Sequence, residues 1–135
     1  MADRLTLEVA TPARLVVAET VDEVVVPGSQ GYFGVLAGHA PLLATLGIGE
    51  LMYRQGTTQH YLALTGGFAE VRNDKVIVLA EHAERPNEID RERSQQAKER
   101  AERRLSGREG DVDFARAQAA LTRALIRLQV ADRRQ

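Results

Sequence analysis

With 135 residues, no cysteine and a formal net charge of -1, the chain fits one domain of ordinary size, or one small domain with an appendage, and excludes a disulfide framework, a thiolate nucleophile and a cysteine zinc site. Hydrophobic residues at 44% suffice for a core, but aromatics at 4% and the lack of tryptophan make that core aliphatic and argue against a stacking platform for bases or sugars. The small net charge hides an asymmetry: residues 1–84 carry 5 basic and 10 acidic side chains, net -5, and residues 85–135 carry 13 and 9, net +4, which points to two domains.

The N-terminal stretch is charged where a signal peptide needs an apolar centre, and no apolar run approaches the roughly 20 residues of a membrane span. The expectation is a cytoplasmic soluble protein. Leu5, Leu7 and Val9 alternate with Thr6 and Glu8, the period of a half-buried strand. Leu15 to Val17 and Val21 to Val26 are β-branched runs that read as the next strands, before the Pro27-Gly28 turn. From Pro27 to Leu46, glycines at 28, 31, 34 and 38 and Pro41 punctuate apolar residues, a pattern of loop, short strand, corner and strand. Gly47 and Gly49 suggest a tight connection; Glu50 to Gln55 and Gln59 to Leu64 suggest a hairpin about Gly56. Gly66-Gly67 opens a further strand, Phe68 to Arg72, and Asn73-Asp74 then supplies the strongest hairpin signal, since both residues tolerate the positive φ of a type I′ turn. About nine short strands in this stretch favour an antiparallel sandwich or barrel.

After Glu84 the texture changes. Pro86 marks a boundary, Asn87 reads as an N-cap, and Glu88 and Asp90 place negative charge in the first turn of a helix running to about Leu105. Ser106-Gly107 and Gly110 break it, and Asp111 or Asp113 caps a second helix to about Asp132. Phe114, Ala117, Leu121, Ala124, Leu128 and Ala131 form an apolar seam on the second helix, matched on the first by Ile89, Ala97, Ala101 and Leu105. Alanine-rich seams bury little area, so the hairpin is expected to be weakly held and a candidate moving part.

Chemistry-bearing patterns are sparse. The glycines lack the strand-to-helix context and lysine of a phosphate cradle, and His39, His60 and His82 lack the spacing of paired metal ligands on one helix face. The tail arginines are interleaved with Glu92, Glu99 and Glu102, so local pairing competes with any nucleic-acid contact. Arg93 and Arg100 on one helix and Arg123 and Arg127 on the other are the set that could converge on a polyphosphate.

Pro27-Gly28, Gly34-Val35-Leu36, the run Gly38-His39-Ala40-Pro41-Leu42-Leu43, then Gly66-Gly67-Phe68-Ala69-Glu70-Val71 and the Arg/Glu-rich hairpin resemble the epsilon subunit of bacterial rotary ATP synthase over essentially the whole chain. The resemblance implies β + α architecture: an antiparallel β-sandwich of about ten strands over residues 1–84 and a two-helix antiparallel hairpin over 85–135. It implies a non-catalytic central-stalk subunit, peripheral at the cytoplasmic face of the bacterial inner membrane. There it would couple the proton- or sodium-driven rotor to the catalytic head. The sandwich would bind the gamma subunit and contact the c-ring through Ser29, Gln30, Gly31, Tyr32, His39, Ala40 and Pro41, with Tyr32 standing where some relatives are acidic. The helices would extend toward the alpha and beta catalytic subunits and block ATP hydrolysis. No nucleic-acid partner is implied.

Some members of that family bind ATP at the hairpin through an Ile/Leu-Asp-x-x-Arg-Ala motif. Ile89-Asp90-Arg91-Glu92-Arg93-Ser94 matches it up to the final alanine. By the same resemblance Arg100, Arg123 and Arg127 would meet the phosphates and Glu84 would supply a carboxylate, so ATP is implied as a regulatory ligand and no cofactor as a requirement. The competing function is a free-standing ATP-sensing module built on this hairpin.

Overall fold

The computed structural model describes residues 4–107 and 113–133, and the chain divides into two compact units, 1–84 and 85–135. The first is a single seven-stranded sheet: β1 (Leu5–Ala10), β2 (Leu15–Val21), β3 (Glu23–Gly28), β4 (Gly31–Val35), β5 (Leu42–Gln55), β6 (Thr58–Arg72) and β7 (Lys75–Glu84), in the order β2-β1-β7-β6-β5-β3-β4. β2 touches β5 although β1, β7 and β6 lie between them in the ladder, so the sheet folds over on itself into two layers. Leu5, Leu7, Val9, Val24, Val26, Leu51, Leu62, Leu64, Val71, Val76 and Val78 fill the space between the layers. Burying each such side chain contributes about 1.5–3 kcal/mol.

Among the described residues the sheet has seven strands, not about ten. Gly47 and Gly66-Gly67, which read as strand breaks, lie inside β5 and β6, each of which is a continuous strand across the supposed gap. Register is kept through that point, with Leu46 opposite Gly67 and Ile48 opposite Thr65. What changes there is the phase of the core. Leu62 and Leu64 face the core before it and Ala69 and Val71 after it, while β5 switches from Leu46 to Leu51 and β7 from Ala80 to Ala83. Gly66 at φ 70° and Gly67 at φ 122° produce this kink, and a Cβ on Gly67 would stand 2.0 Å from the Leu79 carbonyl oxygen. Glycine therefore bends the strand without ending it.

The purely antiparallel expectation also fails at one ladder. β1 pairs antiparallel with β2 and parallel with β7, Thr6 opposite Lys75 through Ala10 opposite Leu79. Alternation of apolar residues is the same for both pairings; the direction follows from where the intervening strands return the chain.

The second unit opens with a 3-10 turn at Pro86–Glu88, followed by α1 (Arg91–Leu105) and α2 (Phe114–Ala131). Asp90 rather than Asn87 caps α1, its side chain accepting from the Arg93 N–H at 3.0 Å. The 3-10 turn takes the residues expected to begin the helix: the Glu88 carboxylate accepts from the Arg85 N–H at 2.8 Å, and Ile89 is extended. Gly107, at φ 76°, follows the end of α1. Asp113 caps α2 through the Arg116 N–H at 3.2 Å; Asp111 and Gly110 lie outside the described residues. The buried positions Ser94 and Ala101 on α1, and Ala117, Ala124 and Ala131 on α2, recur every seven residues, a small-residue seam along two packed helices.

Candidate functional site

The stretch Ser29 to Pro41 is a turn, a strand and a loop. Gly28 pairs with Gly31 to close the β3–β4 hairpin, putting Ser29 and Gln30 at one end of β4 and His39, Ala40 and Pro41 beyond the other. The five residues of β4 separate the two ends by about 16 Å. At the turn, the Ser29 N–H donates to the Thr45 carbonyl at 2.9 Å and the two hydroxyls meet at 2.5 Å. The Tyr32 hydroxyl accepts from the Glu50 N–H at 3.0 Å, and its ring crosses Gly49, where a Cβ would lie 2.6 Å from that hydroxyl. Tyr32 is thus fixed by its tip while 58% exposed.

At the other end, the Gly38 N–H donates to Asp74 Oδ1 at 2.7 Å, the His39 N–H to the Leu36 carbonyl at 3.2 Å, and His39 Nδ1–H to the Ala40 carbonyl at 2.6 Å. A carbonyl only accepts, so Nδ1 carries the proton. The other histidines are taken up structurally: His60 stacks on Tyr53 with centroids 4.8 Å apart, and His82 Nδ1 meets the Thr65 hydroxyl at 2.9 Å. Among the described residues no group of three metal-ligating side chains is gathered.

A larger feature emerges only from the register of the ladders. Ladder partners Leu15, Ala10, Leu79, Phe68 and Thr45 form one row across β2, β1, β7, β6 and β5 on the outer face. Leu15, Leu79 and Phe68 are 55–60% exposed, and Leu43, diagonal to Phe68, is 70% exposed. Five strands span about 19 Å at the normal inter-strand spacing. Phe68 and Leu79 stand at the outward phase of their strands, and that was the signal available; their alignment with Leu15 depends on the parallel β1–β7 ladder.

At the opposite end of the strands Asp22 joins two turns. Its carboxylate accepts from the Gly56 N–H at 2.6 Å and from Arg4 Nε at 3.0 Å. The backbone bond from Gly56, with Arg4 and Arg54 beside it, lowers the pKa from its ordinary 3.8.

The polyphosphate candidates divide between the units. Glu84 ends β7 in the first unit. In the second, Ile89 is buried and Asp90 is engaged in capping. Arg93 and Arg100 are exposed on α1, and Arg123 and Arg127 are half-buried one turn apart on α2. Ser94, the departure from the motif, is buried with its hydroxyl donating to the Asp90 carbonyl at 3.0 Å, so the extra polar atom is satisfied. At the open end of the hairpin, Arg91 of α1 pairs with Asp132, the C-cap of α2. No helix among the described residues is long and apolar enough to cross a membrane.

Comparison with known proteins agrees with both units. Residues 4–86 match the family described as "ATP synthase, Delta/Epsilon chain, beta-sandwich domain", and residues 87–132 match "ATP synthase, Delta/Epsilon chain, long alpha-helix domain". The ATP synthase epsilon chain of Syntrophobacter fumaroxidans is 50% identical over 133 residues, covering 98% of this chain and 99% of that protein. That of Nitratidesulfovibrio vulgaris is 52% identical over 130 residues, covering 96% and 97%. Among solved structures, a chain of the Euglena gracilis mitochondrial ATP synthase (OSCP/F1/c-ring) superimposes with a TM-score of 0.78 at 23% identity, over 98% of this chain and 82% of that one. A chain of the Tetrahymena thermophila mitochondrial ATP synthase central stalk and c-ring gives 0.59 at 13% identity, over 95% and 93%. These two likenesses concern the fold alone. With one family matched along the sheet and along the hairpin, and half the residues shared with relatives over nearly the full length, the chain belongs to the epsilon chain family of ATP synthase.

Proposed function

We propose that this epsilon chain is a non-catalytic central-stalk subunit, held at the cytoplasmic face of the bacterial membrane through its complex, in which the folded sheet is the anchor and the hairpin the regulatory element. The observation that carries this reading is the exposed apolar row Leu15, Leu79 and Phe68 with Leu43. It is the surface we assign to the gamma subunit. The β4–β5 loop, with His39, Ala40 and Pro41, is assigned to the polar loops of the c-ring. The hairpin supplies what a switch needs: a small-residue seam that leaves the compact state only modestly favoured, and a basic sequence to engage acidic segments of the alpha and beta catalytic subunits when extended. In that extended state it blocks ATP hydrolysis.

The test is hydrolysis by a catalytic head depleted of its epsilon chain and titrated with the wild-type protein, with Phe68→Glu, and with a version truncated after Glu84. Wild type is expected to bind and lower the rate, Phe68→Glu to lose gamma binding while remaining folded, and the truncation to bind without lowering the rate. Wild-type protein that does not bind gamma overturns the reading.

A second reading, that ATP is a regulatory ligand of the hairpin, is supported by the buried, satisfied Ser94 within the Ile89–Ser94 motif. Arg93, Arg100, Arg123 and Arg127 would hold its phosphates. Calorimetric titration of the full chain with ATP checks it: heat at millimolar ATP that vanishes in Arg123→Ala/Arg127→Ala sustains it, and its absence from wild type removes both this reading and the free-standing ATP sensor.

A further inference from the structure

We propose that Asp74 is a positioning residue for the β4–β5 loop, holding Gly38 to Pro41 in the shape that docks on a partner's polar loop; this rests on the assignment of that loop to the c-ring. The Asn73-Asp74 turn joins β6 to β7, and both residues have positive φ, 52° and 58°. A turn needs nothing more from Asp74 than that conformation. Yet its carboxylate reaches 36 positions back along the chain to accept from the Gly38 N–H at 2.7 Å, while its carbonyl accepts from the Thr6 N–H at 3.0 Å. One residue thereby ties the start of β1, the β6–β7 turn and the β4–β5 loop. A hydrogen bond to a carboxylate is about twice as strong as one between neutral groups.

The rest of the loop is built outward from that bond. Gly38 sits at φ 86° with nothing within 4 Å of where a Cβ would be, so glycine is there for its conformation and not for lack of space. Beyond it the His39 N–H closes onto Leu36 and the His39 ring onto the Ala40 carbonyl. These contacts leave Ala40 and Pro41 exposed, flanked by exposed Leu36, Leu42 and Leu43. The loop's own bonds are local. The Asp74 carboxylate is what ties it to a distant part of the sheet. A docking loop already held in one shape loses less conformational freedom on binding, and that saving appears directly in affinity.

Two substitutions separate the turn from the tether. Asp74→Gly keeps the turn, since Asn-Gly is the preferred type I′ pair, and removes the acceptor; Asp74→Asn keeps both the turn and an acceptor oxygen. The full-length wild type and both variants are compared by residue-resolved amide hydrogen exchange and by binding to purified c-ring free of gamma. In Asp74→Gly the Gly38 N–H is expected to exchange about tenfold faster and ring binding to weaken about tenfold, while amides of β1 and β7 keep their protection. Asp74→Asn is expected to restore both readouts to within about twofold of wild type. Unchanged Gly38 exchange in Asp74→Gly, faster exchange with undiminished binding, or Asp74→Asn behaving as Asp74→Gly overturns the proposal. Wild type that fails to bind the ring refutes the docking assignment itself, and the positioning function with it.

Discussion

The sheet and the hairpin solve burial in opposite ways. The sheet encloses leucine and valine from all seven strands, many of them fully buried. The buried positions of the hairpin are Ser94, Ala101, Ala117, Ala124 and Ala131, with Ile89 and Val130 as the larger members. A buried leucine contributes about 1.5–3 kcal/mol and an added CH₂ about 0.8 kcal/mol, so an alanine seam sums to far less than a leucine core. The difference separates a unit that must hold its shape from one whose two helices are kept together by closeness rather than area. Separating helices held in this way exposes far less apolar area than opening the sheet.

The largest expected effect breaks the comparison on the sheet side. Leu7→Ala empties a site with no exposure and should cost about 2–5 kcal/mol, read as a lower unfolding midpoint in denaturant. Next comes the hairpin: Ala124→Leu forces a larger side chain into a closely packed seam at about 1–3 kcal/mol. Amide exchange should then show faster opening confined to α1 and α2 with the sheet unchanged. Equal loosening of the sheet would contradict the separation of the two units.

Asp22 sharpens the comparison through pH. Its folded pKa lies below the ordinary 3.8, chiefly through the Gly56 N–H, so it contributes stability above 3.8 and loses it as pH falls through the lowered value. Acid titration of unfolding should therefore show part of the sheet's loss of stability below pH 3.8 disappear in Asp22→Asn, with hairpin exchange unaffected. The smallest effect concerns the Arg91–Asp132 pair, whose side chains are more than half exposed. Arg91→Ala should cost about 0.2–1 kcal/mol of hairpin closure, less at high salt, measured as exchange at the first turn of α1.

Much of the architecture was legible. Alternation at Leu5, Leu7 and Val9 became β1, the Gly56 and Asn73-Asp74 turns closed the hairpins they announced, and the three-and-four spacing from Ala117 to Ala131 became α2. Phe114, counted in the same seam, is instead 59% exposed at the first position of that helix. Asn87 misled for a local reason, since Glu88 folds back on the Arg85 N–H and delays the helix to Asp90. The Ile89–Ser94 run is visible as a motif because its members are neighbours in the chain. The apolar row is not, because Leu15 and Leu79 become near neighbours only through a parallel ladder.

What the sequence determined by itself was therefore what neighbouring residues decide: strand and helix periods, positive-φ turns, and the cap at Asp113. Tertiary structure decided whether Gly66-Gly67 would end a strand or kink it, which edge β1 would join, and that Asp74 would meet Gly38. Backbone preference and alternation act over a few residues, whereas register and cross-strand contact are fixed only when distant segments bury their apolar faces together.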